Sequence, residues 1–491
     1  MSLLATLHRR TGSASALAPT GVAVPPGATG ATGATALSPR ERRVLAVAIM
    51  ASVVVFLDAS IVNIANASIS ASLHGGLVLQ QWDSDSYTLT LAAFILTAGA
   101  LSDALGRVTI MKLGVAGFGL ASLLCAAAPS AGVLVAARAA QGLAGALLVP
   151  SSLALIASTF RGPAQARAIG RWSAATSGSF VVGPLLGGVL VDSLGWRAVF
   201  AVNVIPVLIT LRLLRRIAEP TVAVGRRRVD IAGSVLAVLG LGGLVFGLIQ
   251  TGHASMSGGL SIAALAVGVL GLVGFVLREA RAANPMLPLR LFRSRNFCFG
   301  NLASVLVWGA LYLGVFIVPT FLQQVAGYSA SAAGAATAPM TVIGVFVAAS
   351  VGRLAARFGP KWFVATGPLL AAAGYAWLAL SSRPISYWSD LLPAVVLVGL
   401  GISFTSTPVT AAVLSAVTGE QAGIASAVNN AVTRVAGLVT IAVVGLVTGS
   451  TLDYSGFHRV VLVVAALMVA GAAVAAIGLR NRPAGVAAPS A

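Results

Sequence analysis

Two charged residues sit inside long apolar runs. Asp58 lies in Phe56-Leu-Asp-Ala-Ser-Ile-Val-Asn63, and Arg138 lies in Val135-Ala-Ala-Arg-Ala-Ala-Gln-Gly142. A charge at the centre of a membrane-spanning helix costs about 2.5–3.5 kcal/mol on insertion scales, so each one needs a reason. Burial disfavours the ionised form of a carboxylate, so Asp58 can take up and release protons near neutral pH. Arg138 stays charged and requires a polar cavity or a partner. Two readings stand for these residues. They couple proton movement to another event, or they form a static structural ion pair.

A second constellation joins two apolar runs. Gly99-Ala-Leu-Ser-Asp-Ala-Leu-Gly-Arg107 supplies a carboxylate, a turn glycine and a guanidinium. Asp103 can cap a helix start and pair with Arg107, while Gly106 permits a tight turn. Such a pair makes a gate at a membrane surface; an ordinary cap with a basic anchor is the plainer reading. Gly352-Arg-Leu-Ala-Ala-Arg-Phe-Gly-Pro-Lys361 echoes it in the second half. A recurring loop of this kind points to internal duplication.

Further along, Gly178, Gly183, Pro184, Gly187 and Gly188 crowd one apolar run. Small residues let helices approach closely and Pro kinks a helix, so this run reads as a hinge or a seal. Arg434 is the only basic residue inside the last six runs. Asp83 and Asp85 flank Trp82 at one end of a run, where they can attract cations or sit in a solvated loop. Candidates for lining a substrate cavity are Asn63, Asn66, Gln141, Trp308, Tyr312, Phe404, Asn430 and Arg434, with Trp172, Phe180 and Phe316 as further aromatics. Interface belts and lipid-facing packing are the alternative for most of the aromatic ones.

The elements that hold these residues follow from composition. The chain has 491 residues, 58% hydrophobic and 9% charged, whereas soluble domains carry about 25% charged residues. Apolar windows recur at 44–66, 86–104, 109–128, 132–158, 168–191, 197–214, 231–251, 259–277, 298–324, 333–351, 362–381, 390–414, 423–448 and 460–479. About 20 apolar residues cross the hydrocarbon core as a helix. The runs are continuous rather than alternating, which selects helices over a β-barrel. The expected fold is an all-α polytopic membrane protein with fourteen transmembrane helices.

A net charge of +19 suggests nucleic acid in a soluble chain. Here the basic residues sort by loop. Of 31 Lys and Arg, 26 fall on the side that holds both termini, three (Arg197, Arg383, Arg459) fall on the other, and two lie within runs. This bias places both termini in the cytoplasm. The expected layout is a disordered cytoplasmic tail over 1–43, a six-helix bundle over 44–216, and a linker with two extra helices over 217–297. A second six-helix bundle follows over 298–480, then a cytoplasmic tail over 481–491. The middle pair, 231–277, carries no charge in its apolar runs and reads as a lipid-facing spacer. Cys125 and Cys298 fall near opposite faces, too far apart to bridge. No Cys/His cluster has metal-ligand spacing.

This ordered set resembles the major facilitator superfamily, and within it the fourteen-span drug:proton antiporters. Asp103 with Gly106 and Arg107 resembles the family's cytoplasmic loop signature. Arg138 with Gln141 and Gly142 resembles its fourth-span motif, and Gly183-Pro184 with Gly187-Gly188 its fifth-span antiporter motif. Leu57-Asp58 with Ile61-Val62-Asn63 resembles the first-span motif. Trp196-Arg197, Phe200 and Asn203 are similar to the start of span six. Asn284-Pro-Met-Leu-Pro-Leu, Leu291-Phe292, Gln323-Gln324 and Gly327-Tyr328 are similar to the flanks of span nine.

The resemblance implies a cell-membrane transporter, not an enzyme. It implies export of amphipathic drugs or antibiotics by alternating access, with the proton gradient as energy source and no cofactor or metal. Asp58 and Arg138 then inherit proton coupling. A proton-coupled solute symporter of the same fold is the alternative, ahead of a membrane sensor or a lipid-acting membrane enzyme. Small molecules, protons and the bilayer are the expected partners, and nucleic acid is not. The chain departs from the family pattern at Ala104 and Val108, where basic residues are usual. Ala65-Asn66-Ala67 stands in place of Ala-Leu-Pro, and Asp83 stands where an apolar residue is usual.

Overall fold

The computed structural model describes residues 37–218, 230–252, 258–282, 285, 287–417, 421–449 and 452–481. The N-terminal tail before 37, the arginines Arg226 to Arg228, Asn284 and the C-terminal tail from 482 lie outside the described residues. All that follows concerns the unit Pro39–Ala491.

Helices account for nearly all of this unit, and no strand occurs among the described residues. In chain order they are α1 (Pro39–Ser72), α2 (Gly76–Leu105), α3 (Arg107–Ala126), α4 (Ala131–Thr159), α5 (Gly162–Leu194), α6 (Arg197–Ala201), α7 (Val204–Leu214) and α8 (Ile231–Thr251). Then come α9 (Gly258–Arg281), α10 (Arg295–Gln324), α11 (Ala330–Phe358), α12 (Pro360–Ala379), α13 (Leu392–Leu414), α14 (Ala422–Ala442), α15 (Val444–Thr448) and α16 (Tyr454–Gly478). Every predicted window overlaps a helix or a broken pair of helices. Thirteen spans among the described residues are long and apolar enough to cross a membrane. The window at 86–104 corresponds to α2, which is not one of them.

Several helices, among them α1, α2, α5 and α11, run longer than their apolar windows. The largest difference is in α2, which starts at Gly76 rather than 86. Its first turns carry Gln80, Gln81, Asp83 and Asp85, all buried, and these polar side chains hid the helix start in the sequence. The span at 197–214 is interrupted at Val202–Asn203. Pro206 has no N–H to give the Val202 carbonyl, which favours a break at that point.

Helices α1 to α7 pack chiefly on one another, as do α10 to α16. The two groups meet where α5 packs on α11, α2 on α14 and α1 on α10. The middle pair is only half a spacer. α9 exposes Ile262, Leu270 and Val273, as a lipid-facing helix should, but α8 packs between α2 and α14. Thr97 and Ser234 share a 2.6 Å hydrogen bond across that contact. Glycines bring α8 and α9 into backbone contact: a Cβ on Gly243 would lie 2.7 Å from the Gly268 nitrogen. Large apolar side chains such as Leu120, Val189, Leu208 and Ile477 stud the outer surface, which suits hydrocarbon and not water.

The two repeated loops are nearly all helix. α2 continues to Leu105, Gly106 alone makes the turn, and Arg107 opens α3. Gly359 does the same between α11 and α12. Both have positive φ, 100° and 86°, a conformation that only glycine adopts without strain. The echo read in sequence is therefore a repeated turn of one geometry.

Candidate functional site

The site lies inside the α1–α7 group. Gly142 lets α4 approach α2 closely, because a Cβ there would strike the Tyr87 carbonyl. Thr90 Oγ1 then reaches the Ala139 carbonyl at 2.8 Å. This approach brings Arg138 of α4 against both α1 and α2. Its Nη1 donates to Asp58 Oδ2 at 2.7 Å and to Gln141 Oε1 at 2.6 Å. Its Nε donates to the backbone carbonyl of Asp83 at 3.1 Å, and lies 3.4 Å from Asp83 Oδ1. The guanidinium also stands over the Tyr87 ring, 4.3 Å from its centroid, with Phe200 at 5.7 Å.

Asp58 is held on both oxygens. Gln141 Nε2 donates to Oδ1 at 2.9 Å, and Asn203 Nδ2 donates to the same oxygen at 2.7 Å. Ser122 ties these donors together, accepting from Gln141 at 2.8 Å and giving its own proton to the Phe118 carbonyl at 2.8 Å. Asp58 is 0% exposed and Arg138 1%. Hydrogen bonds to both Asp58 oxygens and from Arg138 Nε and Nη1 offset part of the cost of burying the pair.

The other half of the helix set is sealed against this one at a single end. Near the end away from the basic loops, Gln81 Nε2 donates to the carbonyls of Ile441 and Ala442 at 2.8 and 3.1 Å. Gln323 Nε2 donates to the Ile64 carbonyl at 3.0 Å, and Gln324 Nε2 to Ser70 Oγ at 3.5 Å. Asp192 caps α11, accepting from Ala330 N and Ser331 N at 3.2 and 2.8 Å. Among the described residues, the hydrogen bonds between the two groups all lie at this end.

The glycine run of α5 makes part of the same seal. A Cβ on Gly188 would lie 2.6 Å from Ser331 Cα, and one on Gly334 would strike the Pro184 carbonyl. Gly183 and Gly187 face α1 instead, against Ser60 and Ile61. Gly178 faces open space, with nothing within 4 Å, so it takes no part in the packing.

With this geometry described, comparison with known proteins places it. A sequence profile of the Major Facilitator Superfamily matches residues 48–441. The chain belongs to that superfamily. It is a multi-pass membrane transporter, not an enzyme. Multidrug resistance protein Stp of Mycobacterium tuberculosis (strain CDC 1551 / Oshkosh) is 35% identical over 81% of this chain and 74% of its own. Methylenomycin A resistance protein of Streptomyces coelicolor (strain ATCC BAA-471 / A3(2) / M145) is 34% identical over 81% and 84%. The crystal structure of a bacterial homolog to the human lysosomal transporter Spinster, inward-facing and unoccupied, superposes with a TM-score of 0.67. It is 17% identical and covers 90% of this chain and 97% of that one, a likeness of fold.

The transporter brings some sequence candidates together and separates others. Gln141, grouped with the cavity in sequence, turns into the Asp58 cluster. Asn66 is buried and donates to Ser84 Oγ at 3.1 Å within its own half. Asn63 is half-buried on α1, and Asn430 is exposed on α14. Trp308 and Tyr312 lie half-buried on α10, the Tyr312 ring against Gly437. Arg434 is half-buried on α14, and its buried Nε has no hydrogen-bond partner. Phe404 packs on Phe363. Phe316 is core. Asp83 and Asp85 occupy no solvated mouth; both are 0% exposed inside α2.

At the Gly106 turn, Arg107 Nη1 donates to the Ala154 carbonyl at 2.9 Å, and Gly99 has nothing within 4 Å of a Cβ. Asp103 falls on the last turn of α2, and its side chain lies outside the described residues. Both cysteines are free, with Cys125 buried beside Gln141. A cavity of about 450 Å³ opens elsewhere, between α2, α8, α9, α10 and α14, lined by Ala92, Leu241, Phe275, Val428 and Val435. None of the eight cavity candidates lines it. Ser122 is a site residue that sequence reasoning missed, and Asn203 was noted there only in the span-six motif, not as a partner of Asp58. Asn203 had one signal, a polar residue just before Pro206 in an apolar run.

Proposed function

We propose that this transporter exports amphipathic drugs or antibiotics across the cytoplasmic membrane, in exchange for protons, by alternating access. One observation carries the reading: a buried Asp58–Arg138 ion pair with donors on both Asp58 oxygens, from Arg138, Gln141 and Asn203. The names of the relatives, a multidrug resistance protein and an antibiotic resistance protein, support the substrate class. α2 is the fourteenth span. The basic end faces the cytoplasm, as the charge bias of the loops favours, and both termini lie there. The seal then closes the outer side, and the state is inward-facing.

In this reading a proton from outside neutralises a carboxylate of the cluster and loosens its hold on Arg138. Reorientation exposes the site to the cytoplasm, where substrate enters and the proton leaves. The turn at Gly106, with Asp103 and Arg107, gates the cytoplasmic side. Trp308, Tyr312, Asn430 and Arg434 face the substrate path. The test is Asp58→Asn in everted membrane vesicles under an imposed pH gradient, with ethidium as the probe. Uptake falls to the level of vesicles without the transporter, while the protein stays in the membrane. Undiminished uptake driven by the pH gradient refutes the coupling role. A susceptibility screen of cells with and without the gene identifies the drugs.

A further inference from the structure

Arg138 faces two carboxylates, and they are held very differently. Asp58 receives a donor on each oxygen, from Arg138 on one and from Gln141 and Asn203 on the other. Asp83 receives none: neither of its carboxylate oxygens accepts a hydrogen bond, and the residue is 0% exposed. Its one cationic contact is Arg138 Nε at 3.4 Å, and that N–H is directed at the Asp83 backbone carbonyl.

Two ionised carboxylates on one guanidinium would leave a net negative charge in a sealed, apolar place. Buried charge of that kind is costly, and a carboxyl group sheds the cost by keeping its proton. The remaining ionisable groups near Asp83 do not supply the missing cation. α1 brings Asp58, α3 brings Cys125, and the helix itself brings Asp85 and Tyr87. α8 carries no ionisable side chain over Ile231–Thr251, and among the described residues no ion pair joins Arg434 of α14 to Asp83. Asp58 is therefore the standing counter-ion of Arg138, and of the two donor-free carboxyl groups on α2, Asp83 and Asp85, it is Asp83 that lies beside Arg138 with room for a proton.

We propose that Asp83 is a second proton-binding carboxylate of the coupling site, which shares Arg138 with Asp58 through the transport cycle. The proposal rests on the antiport reading above. A hydronium ion from the open side gives its proton to an Asp83 oxygen, forming an O–H bond and releasing water. When Arg138 shifts toward Asp83, that bond breaks and the proton passes to water on the other side. With Asp58 also able to protonate, the site holds up to two protons per cycle. Exchange of two protons for one monovalent cation moves net charge, whereas exchange of one does not.

Two measurements test this, and they fail separately. Infrared spectra of the purified full chain at neutral pH contain carbonyl-stretch absorption from protonated carboxyl groups. Asp83→Asn removes part of it and Asp85→Asn removes a different part, whereas Asp58→Asn, which leaves Asp83 as the one carboxylate beside Arg138, diminishes the Asp83 part as well. An unchanged carbonyl region in Asp83→Asn overturns the proposal. Asp83→Val, which restores an apolar side chain at this position, gives the same loss and serves if the Asn variant does not fold. The second measurement is ethidium uptake by everted vesicles under a membrane potential without a pH gradient. The wild-type transporter responds to the potential and Asp83→Asn loses that response; equal responses overturn the second proton. If ethidium is not moved at all, the export reading fails for this probe, and the infrared result still decides whether Asp83 carries a proton.

Discussion

Replacing Gly188 by Ala tests whether the α5–α11 contact is a moving seal. The new Cβ would stand 2.6 Å from Ser331 Cα and 2.7 Å from the Ala330 carbonyl oxygen. Carbon atoms in good contact stand about 3.5–4.0 Å apart, so the helices must separate by about 1 Å. The opposing atoms are backbone, and Asp192 pins that same turn of α11, so neither side yields cheaply. Overpacking of this kind costs about 1–3 kcal/mol. If the contact exists only in the far-end-closed state, the cost falls on that state alone. The equilibrium then moves about 5- to 150-fold toward the far-end-open state. Spin labels at His74 and Ala332, read by pulsed distance measurement, report the populations. Gly178→Ala is the control, since a Cβ there meets nothing within 4 Å. If Gly188→Ala gives the same distance distribution as wild type and Gly178→Ala, the idea of a state-specific seal is refuted.

Asn203→Ala removes the 2.7 Å bond to Asp58 Oδ1 and leaves Gln141 to hold that oxygen alone. The expected loss is about 1–3 kcal/mol of folded-state stability, read as a lower melting temperature in detergent, with transport shifted in its pH dependence. At the basic end, the Gly233 amide and Arg278 hold the Asp230 carboxyl below its ordinary value of 3.8. A lowered value means stability that is present above 3.8 and lost as pH falls through the folded value. Arg278 is half exposed, so the contribution is at most about 1 kcal/mol. Asp230→Asn keeps the helix cap but loses the charge, so it should melt slightly below wild type at neutral pH. The difference should close at acid pH below the usual carboxylate range; a gap that persists there contradicts the assignment.

The sequence made the helices legible because apolar runs of membrane length have few other structures open to them. It made Asp58 and Arg138 legible because a charge in such a run is conspicuous. It misplaced Asp83 and Asp85 because hydropathy alone ended the span at 86, and polar residues inside a helix look like a loop when their partners are unseen. The part that Asn203 and Ser122 play at Asp58 was hidden for a different reason. Their role comes from distance in space: α3, the α6–α7 break and α1 converge on one carboxylate, and no spacing in the chain encodes that meeting. The glycine run of α5 was read as one motif, yet its members have three separate fates. Gly188 meets α11, Gly183 and Gly187 meet α1, and Gly178 meets nothing.

The far-end seal is built with a side chain on only one side of most of its bonds. Gln81 and Gln323 reach carbonyls, and Asp192 reaches amides. Substitution leaves a backbone carbonyl in place, and only proline removes an amide N–H. The bonds themselves therefore survive changes at Ile64, Ile441, Ala442, Ala330 and Ser331, while the buried Ile64 and Ala442 stay constrained by packing. Vulnerability of the bonding is concentrated in the side chains of Gln81, Gln323 and Asp192, which come from both halves. Residues on either side of the closure can thus change while the bonds that hold it are inherited unchanged.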